Sequence, residues 1–166
     1  MKNFILFAVL VSLPLHGADL SDLIYATTDG KVTITYCDRG ASGELVIPDT
    51  IEGKSVTSIE LGAFLLCSRL TSITLPDSVT SIKGLTFRSC TSLTSITIGD
   101  SVTSIGGNAF SDCTKLTSIT LPDSVTSIGS SAFRGCSSLT GITIPDGVTR
   151  ISLSAFDECS SLTSIT

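Results

Sequence analysis

From Leu45 onward the apolar positions recur with one fixed period. Phe64, Phe87, Phe110, Phe133 and Phe156 stand 23 residues apart, and so do Cys67, Cys90, Cys113, Cys136 and Cys159. The same interval separates Leu70, Leu93, Leu116, Leu139 and Leu162, and again Ile73, Ile96, Ile119, Ile142 and Ile165. Within one unit, Leu116 to Ser138, the pattern changes character twice. Ile119 and Leu121 alternate with Ser118 and Thr120, the two-residue period of a half-buried strand. Pro122-Asp123 is turn chemistry, because Pro presets its own φ and Asp bonds nearby backbone amides. Val125 to Ile128 is a second short extended piece, which Gly129 ends. Ala132, Phe133, Cys136 and Leu139 then follow at spacings that predict one or two helical turns with an apolar stripe.

A single unit of this kind cannot bury its own apolar face, whereas stacked units set each Phe, Cys, Leu and Ile against its equivalent in the next coil. The expected fold is an α/β repeat: a solenoid of short parallel strands and short helical turns, about five units over residues 45–166. Strands in register lie about 4.8 Å apart, so five coils give a rod about 25 Å long. The Phe and Cys columns (Phe64, Phe87, Phe110, Phe133 and Phe156; Cys67, Cys90, Cys113, Cys136 and Cys159) are the expected core ladder.

Residues 19–44 do not keep the period. Val32, Ile34 and Tyr36 alternate after Asp29-Gly30, which reads as a β-hairpin. Leu45 to Asp49 is a degenerate first strand, and Thr50 to Ser55 is inserted before Val56 resumes the phase. This segment is expected to cap one end of the core, as terminal repeats do. At the other end, Thr166 falls inside a strand pattern, and an open edge there is expected to favour end-to-end self-association.

Residues 1–18 have the order of a secretory signal peptide: Lys2, an apolar run from Phe4 to Leu15, then small Gly17 and Ala18. The run is shorter than the roughly 20 residues a membrane-spanning helix needs, and no later stretch is long and apolar enough. Export, to the cell surface or beyond, is the expectation. It would remove His16, the one histidine of the chain.

Charge and composition narrow the function. With 15 acidic and 10 basic residues and a net charge of -5, the chain lacks the basic face that nucleic acid requires. Its 42% hydrophobic content separates it from disordered chains. The ladder cysteines read as free core thiols, because in-register neighbours keep their Cβ atoms near 4.8 Å, beyond the roughly 3.5–4.5 Å of a bridge. Cys37 lies outside the ladder, and its state is open. There is no C-x-x-C pair, so no metal site is expected. Asp77, Asp100, Asp123 and Asp146, with Asp49, form a second ladder. One carboxylate per loop suits a turn former better than a calcium site. A nucleophilic hydroxyl needs a base beside it, and neither His nor a recurrent Lys provides one. No enzyme activity and no cofactor are expected.

The candidate binding surface is the outward strip of strand hydroxyls: Ser72 and Thr74, Ser95 and Thr97, Ser118 and Thr120, and Thr143 beside Gly141. Variation between repeats gathers near the Phe positions instead, where Arg88 and Arg134 are candidate contacts. The phrases LPDSVTSIGSSAFRGC (121–136) and IGDSVTSIGGNAFSDC (98–113) resemble the BspA-like class of leucine-rich repeats, across residues 45–166. That resemblance implies a surface or secreted binding protein whose partners are proteins, including host matrix proteins such as fibronectin and fibrinogen.

Overall fold

The computed structural model describes residues 17–166. The expected signal peptide falls outside the described residues, apart from Gly17 and Ala18. A single 3-10 turn, Leu20–Asp22, closed by an Asp19 cap, leads into the hairpin of β1 (Leu23–Thr28) and β2 (Lys31–Cys37). Both turn residues, Asp29 (φ 51°) and Gly30 (φ 72°), are left-handed, the signature of the tight two-residue hairpin turn. Strand β3 (Ser42–Val46) follows, then β4 (Thr50–Ile51) and β5 (Lys54–Ile59). The inserted segment is therefore itself a hairpin, turning on Glu52 (φ 52°) and Gly53 (φ 72°). β2 lies parallel to β5, which fastens the hairpin to the solenoid.

The repeats lay down two columns of short parallel strands. β3, β6 (Arg69–Thr74) and β8 (Ser95–Thr97) form one sheet. β7 (Ser81–Ile82), β9 (Ser104–Ile105) and β10 (Ser127–Ile128) form the second. β11 (Gly141–Ile142) pairs with β12 (Ser164–Ile165) further along the first column. Ser118–Thr120 belongs to no strand, so the first column is interrupted between β8 and β11. Because β3 already pairs with β6, the first coil starts at Ser42, ahead of the apolar pattern that begins at Leu45.

The predicted helical turns are absent, and with them the α part of the α/β description. Among the described residues Leu20–Asp22 is the only helix. The AFxxC segments are instead runs of overlapping β-turns. In one coil Ala109 N–H donates to Gly106 O, Ser111 N–H to Asn108 O, and Cys113 N–H to Phe110 O. The amides between these donate to the next coil: Asn108 to Ser130 O, Phe110 to Ala132 O, and Asp112 to Arg134 O. Two backbone positions per unit are left-handed, in phase along the rod: Gly62, Leu85, Asn108, Ser131 and Ser154, and Leu66, Ser89, Asp112, Gly135 and Glu158. A right-handed helix cannot pass through them. Each non-Gly residue there costs about 1–2 kcal/mol, offset by the bonds between coils, and an isolated helix this short is marginal in any case.

The core is one continuous cluster. Phe64, Phe87, Phe110 and Phe133 are fully buried and Phe156 is half-buried. Successive rings stack with centroids 5.2–5.4 Å apart, and their interplanar angle falls from 26° at Phe64–Phe87 to 2° at Phe133–Phe156; this spacing is wider than the roughly 4.8 Å between strands. The abundant hydroxyls tie coil to coil. Thr94, Thr117, Thr140 and Thr163 each donate both N–H and Oγ1–H to the carbonyl of the threonine one coil below. Ser78 and Ser124 cap Val56 O and Val102 O on the second column. Among the described residues no buried side-chain nitrogen or oxygen lacks a partner.

Candidate binding groove

The strand alternation that buries Ile73 and Ile96 turns their neighbours outward. Ser95, Thr97, Ser118, Thr120 and Thr143 are exposed, while Ser72, Thr74 and Gly141 are half-buried. Ser72 stands beside Ser95 and Thr74 beside Thr97 in parallel register. Further along, Thr143 and Thr166 hydroxyls lie 3.2 Å apart. The strip is split where Ser118–Thr120 leaves the sheet. A groove of about 250 Å³ opens there, with Ile96, Ile98, Thr97, Asp100, Thr120 and Pro122 on its walls. A second hollow of about 450 Å³ joins it at Thr97, Ile98 and Asp100, and continues past Thr74 and Pro76 to Asp49.

This groove has an apolar floor, a hydroxyl wall and an acidic rim. Asp49, Asp77 and Asp100 come from three successive coils, and no Lys or Arg lines either hollow. Asp77 Oδ1 accepts the Asp100 N–H at 3.1 Å, so one carboxylate of the ladder serves the next turn. Gly99 stands where the neighbouring units carry Pro76 and Pro122, and a Cβ there would lie 2.6 Å from Pro76 O. Its missing side chain lets the two corners close on each other. The sequence had both signals, the aspartate ladder and the lone Gly99, but neither by itself says that they border the hydroxyl strip.

Arg88 and Arg134 lie on a different edge, among the turns. Arg88 Nε is 3.7 Å from Asp112 Oδ2, and Arg134 pairs with both Asp157 and Glu158. Lys83 Nζ meets Glu60 Oε1 at 2.9 Å on the same side and holds that carboxyl below its usual range. Each pair joins one coil to the next at the surface, where solvent screening keeps such contacts weak.

All six cysteines are buried and free. Four thiols repeat one contact: Cys90, Cys113, Cys136 and Cys159 donate to the carbonyls of Phe64, Phe87, Phe110 and Phe133 at 3.1–3.2 Å. Burial pushes the Cys136 thiol up to about 12, and Cys113 well above its ordinary value. Protonated and enclosed, these are core groups rather than nucleophiles. Because the folded value exceeds the unfolded one, near 9, the contribution of Cys136 to stability is complete below pH 9 and is lost as pH rises to about 12. Urea midpoints measured from pH 8 to 12 should therefore fall with pH, and Cys136→Ala should show a shallower decline than the parent.

Residues 46–166 match the family model of the BspA-type leucine-rich repeat region, in six copies. The chain belongs to the BspA-type leucine-rich repeat proteins. Six copies, against about five units anticipated, include the degenerate coil that begins at β3. Three solved structures of leucine-rich repeat proteins are similar to this chain. A leucine-rich repeat protein from Bacteroides ovatus is 36% identical with a TM-score of 0.77, over 87% of this chain and 39% of that one. A leucine-rich cell surface protein from Faecalibacterium prausnitzii is 35% identical with a TM-score of 0.73, over 87% and 41%. The leucine-rich repeat protein of T. pallidum is 28% identical with a TM-score of 0.70, over 90% and 81%. The BspA-type chain described here thus spans less than half the length of two of these relatives. No curated protein matches it in sequence. No helix among the described residues is long and apolar enough to cross a membrane.

Proposed function

We propose that this chain is a secreted or cell-surface protein-binding repeat that adheres to host or matrix proteins without catalysing a reaction, and that it does so through the Thr74–Thr97–Thr120 groove. The groove itself carries the reading: an open, apolar-floored hollow rimmed by Asp49, Asp77 and Asp100, on a rigid rod of stacked coils. Extended surfaces of repeat proteins are their usual binding faces. The acidic rim favours a partner whose segment carries both apolar and basic side chains, since complementary charge steers encounter and fixes register. The family, and a relative that is a leucine-rich cell surface protein, support the extracellular setting, as does the signal-peptide pattern of residues 1–18. Ser72, Ser95, Ser118 and Thr143 extend the same contact strip, and Arg88 and Arg134 form a separate surface.

The test is binding of the purified chain to immobilised fibronectin, fibrinogen and related matrix proteins. Saturable binding at physiological salt is expected. Thr97→Arg combined with Asp100→Lys should weaken it about tenfold or more, because the change puts bulk and like charge against a basic partner. The circular dichroism spectrum should stay unchanged. Binding that the double variant leaves intact would remove the groove from the reading, and a folded chain that binds nothing on the panel would remove the adhesin. A second reading rests on the exposed apolar side chains Ile151, Leu153 and Ile165, whose relative exposures are 45%, 81% and 52%. It predicts self-association through this patch, seen as a mass that rises with concentration in light scattering.

A further inference from the structure

Cys67 is the exception in the thiol ladder. Every later member donates to a Phe carbonyl of the coil below at 3.1–3.2 Å. Below Cys67 lies the hairpin cap instead of a full repeat, and its thiol reaches only the Cys37 and Asp38 carbonyls, at 3.7 and 3.8 Å. Cys37, the last residue of β2, points its own sulfur at the same Asp38 carbonyl, 3.6 Å away. Both sulfurs thus converge on one oxygen, the Asp38 carbonyl. Cys37 N–H donates to Ala63 O at 2.8 Å, so the backbone already clamps the cap against the turn run that carries Cys67.

The objection to bridges within the ladder does not reach this pair. Ladder neighbours are related by the coil translation, which keeps their Cβ vectors parallel. Cys37 and Cys67 are 30 residues apart and out of phase with the repeat. We infer that Cys37 and Cys67 form a disulfide that staples the hairpin cap to the first coils when the chain folds in an oxidising environment.

Both residues are fully shielded in the folded chain, so the bond forms during folding, while a disulfide oxidant still reaches them. One of the two cysteines, as its thiolate, attacks oxidised glutathione and expels one glutathione thiolate. The other, once deprotonated, attacks the protein sulfur of that mixed disulfide and expels the second. The two protein thiols lose two protons and two electrons, and one oxidised glutathione becomes two reduced molecules.

The reduced, denatured chain is refolded in a buffer of oxidised and reduced glutathione, then alkylated in denaturant without reductant. Four alkylated thiols are expected. Trypsin should release one linked pair of peptides, residues 32–39 joined to 55–69. The oxidised chain should melt roughly 10 °C above its reduced form, because the link constrains the unfolded chain. Cys37→Ser should abolish that difference while Cys90→Ser retains it. Six alkylated thiols, a link among the ladder cysteines in place of this one, or a redox-dependent melting shift that persists in Cys37→Ser would each overturn the assignment.

Discussion

Phe110→Ala should lower the unfolding free energy by about 3–5 kcal/mol, the range for truncating a buried aromatic whose surroundings close only partly around the void. Phe110 is fully buried, and its ring stacks on Phe87 and on Phe133 at 5.3 Å on each side. The rigid coil spacing holds those neighbours apart, because backbone bonds from Phe87 N–H to Ala109 O and from Phe110 N–H to Ala132 O fix the separation. Little relaxation into the cavity is available. Phe156 stacks on one ring only and is half-buried, so Phe156→Ala should cost less than half as much. Denaturant titration of both variants by circular dichroism measures the difference, and equal losses would mean that the column does not act as a stacked core.

Gly129→Ala is the second large effect, expected at about 1–3 kcal/mol in the destabilising direction. A Cβ at Gly129 would lie 2.5 Å from Gly107 N and 2.7 Å from Gly106 C. These are backbone atoms of the coil below, so no side-chain rotation relieves the contact and the coils must separate. Gly107→Ala is the comparison, since its Cβ would meet only Ser130 O, at 3.3 Å. The Gly129 variant should melt well below the Gly107 variant, and matching melting temperatures would show that the coils yield without cost.

The stacking itself was legible because a period of 23 residues places equal side chains at equal heights, and only a solenoid buries them all. The Asp29-Gly30 hairpin was legible for a local reason: that dipeptide adopts left-handed φ at both positions. The spacing that predicts helical turns is real, but β-turns satisfy it. Spacings of three between Phe133, Cys136 and Leu139 serve a run of β-turns as well as a helix, since both bring every third or fourth side chain inward. The distinguishing signal was present but scattered. Gly62, Asn108, Asp112 and Gly135 occupy left-handed positions and tolerate them, whereas Leu66, Leu85 and Ser131 in equivalent positions give no such hint.

The site divides in the same way. Outward hydroxyls at Ser95, Thr97, Ser118 and Thr120 follow from strand alternation. The groove does not, because its walls come from successive coils, Thr97 and Asp100 from one and Thr120 and Pro122 from the next, and two corners close over Gly99.

By itself the sequence determined the repeat, the composition of the core, the β1–β2 hairpin and the acidic, hydroxyl-rich surface, because each is a property of side-chain spacing along the chain. Only the tertiary structure decided the backbone between Gly129 and Leu139, the partners of the threonine hydroxyls, the groove beside Asp100 and the meeting of Cys37 with Cys67. In every one of these the deciding hydrogen bond or contact is made to a neighbouring coil or to the cap, more than twenty residues away, and local preference is outweighed by what the neighbour offers.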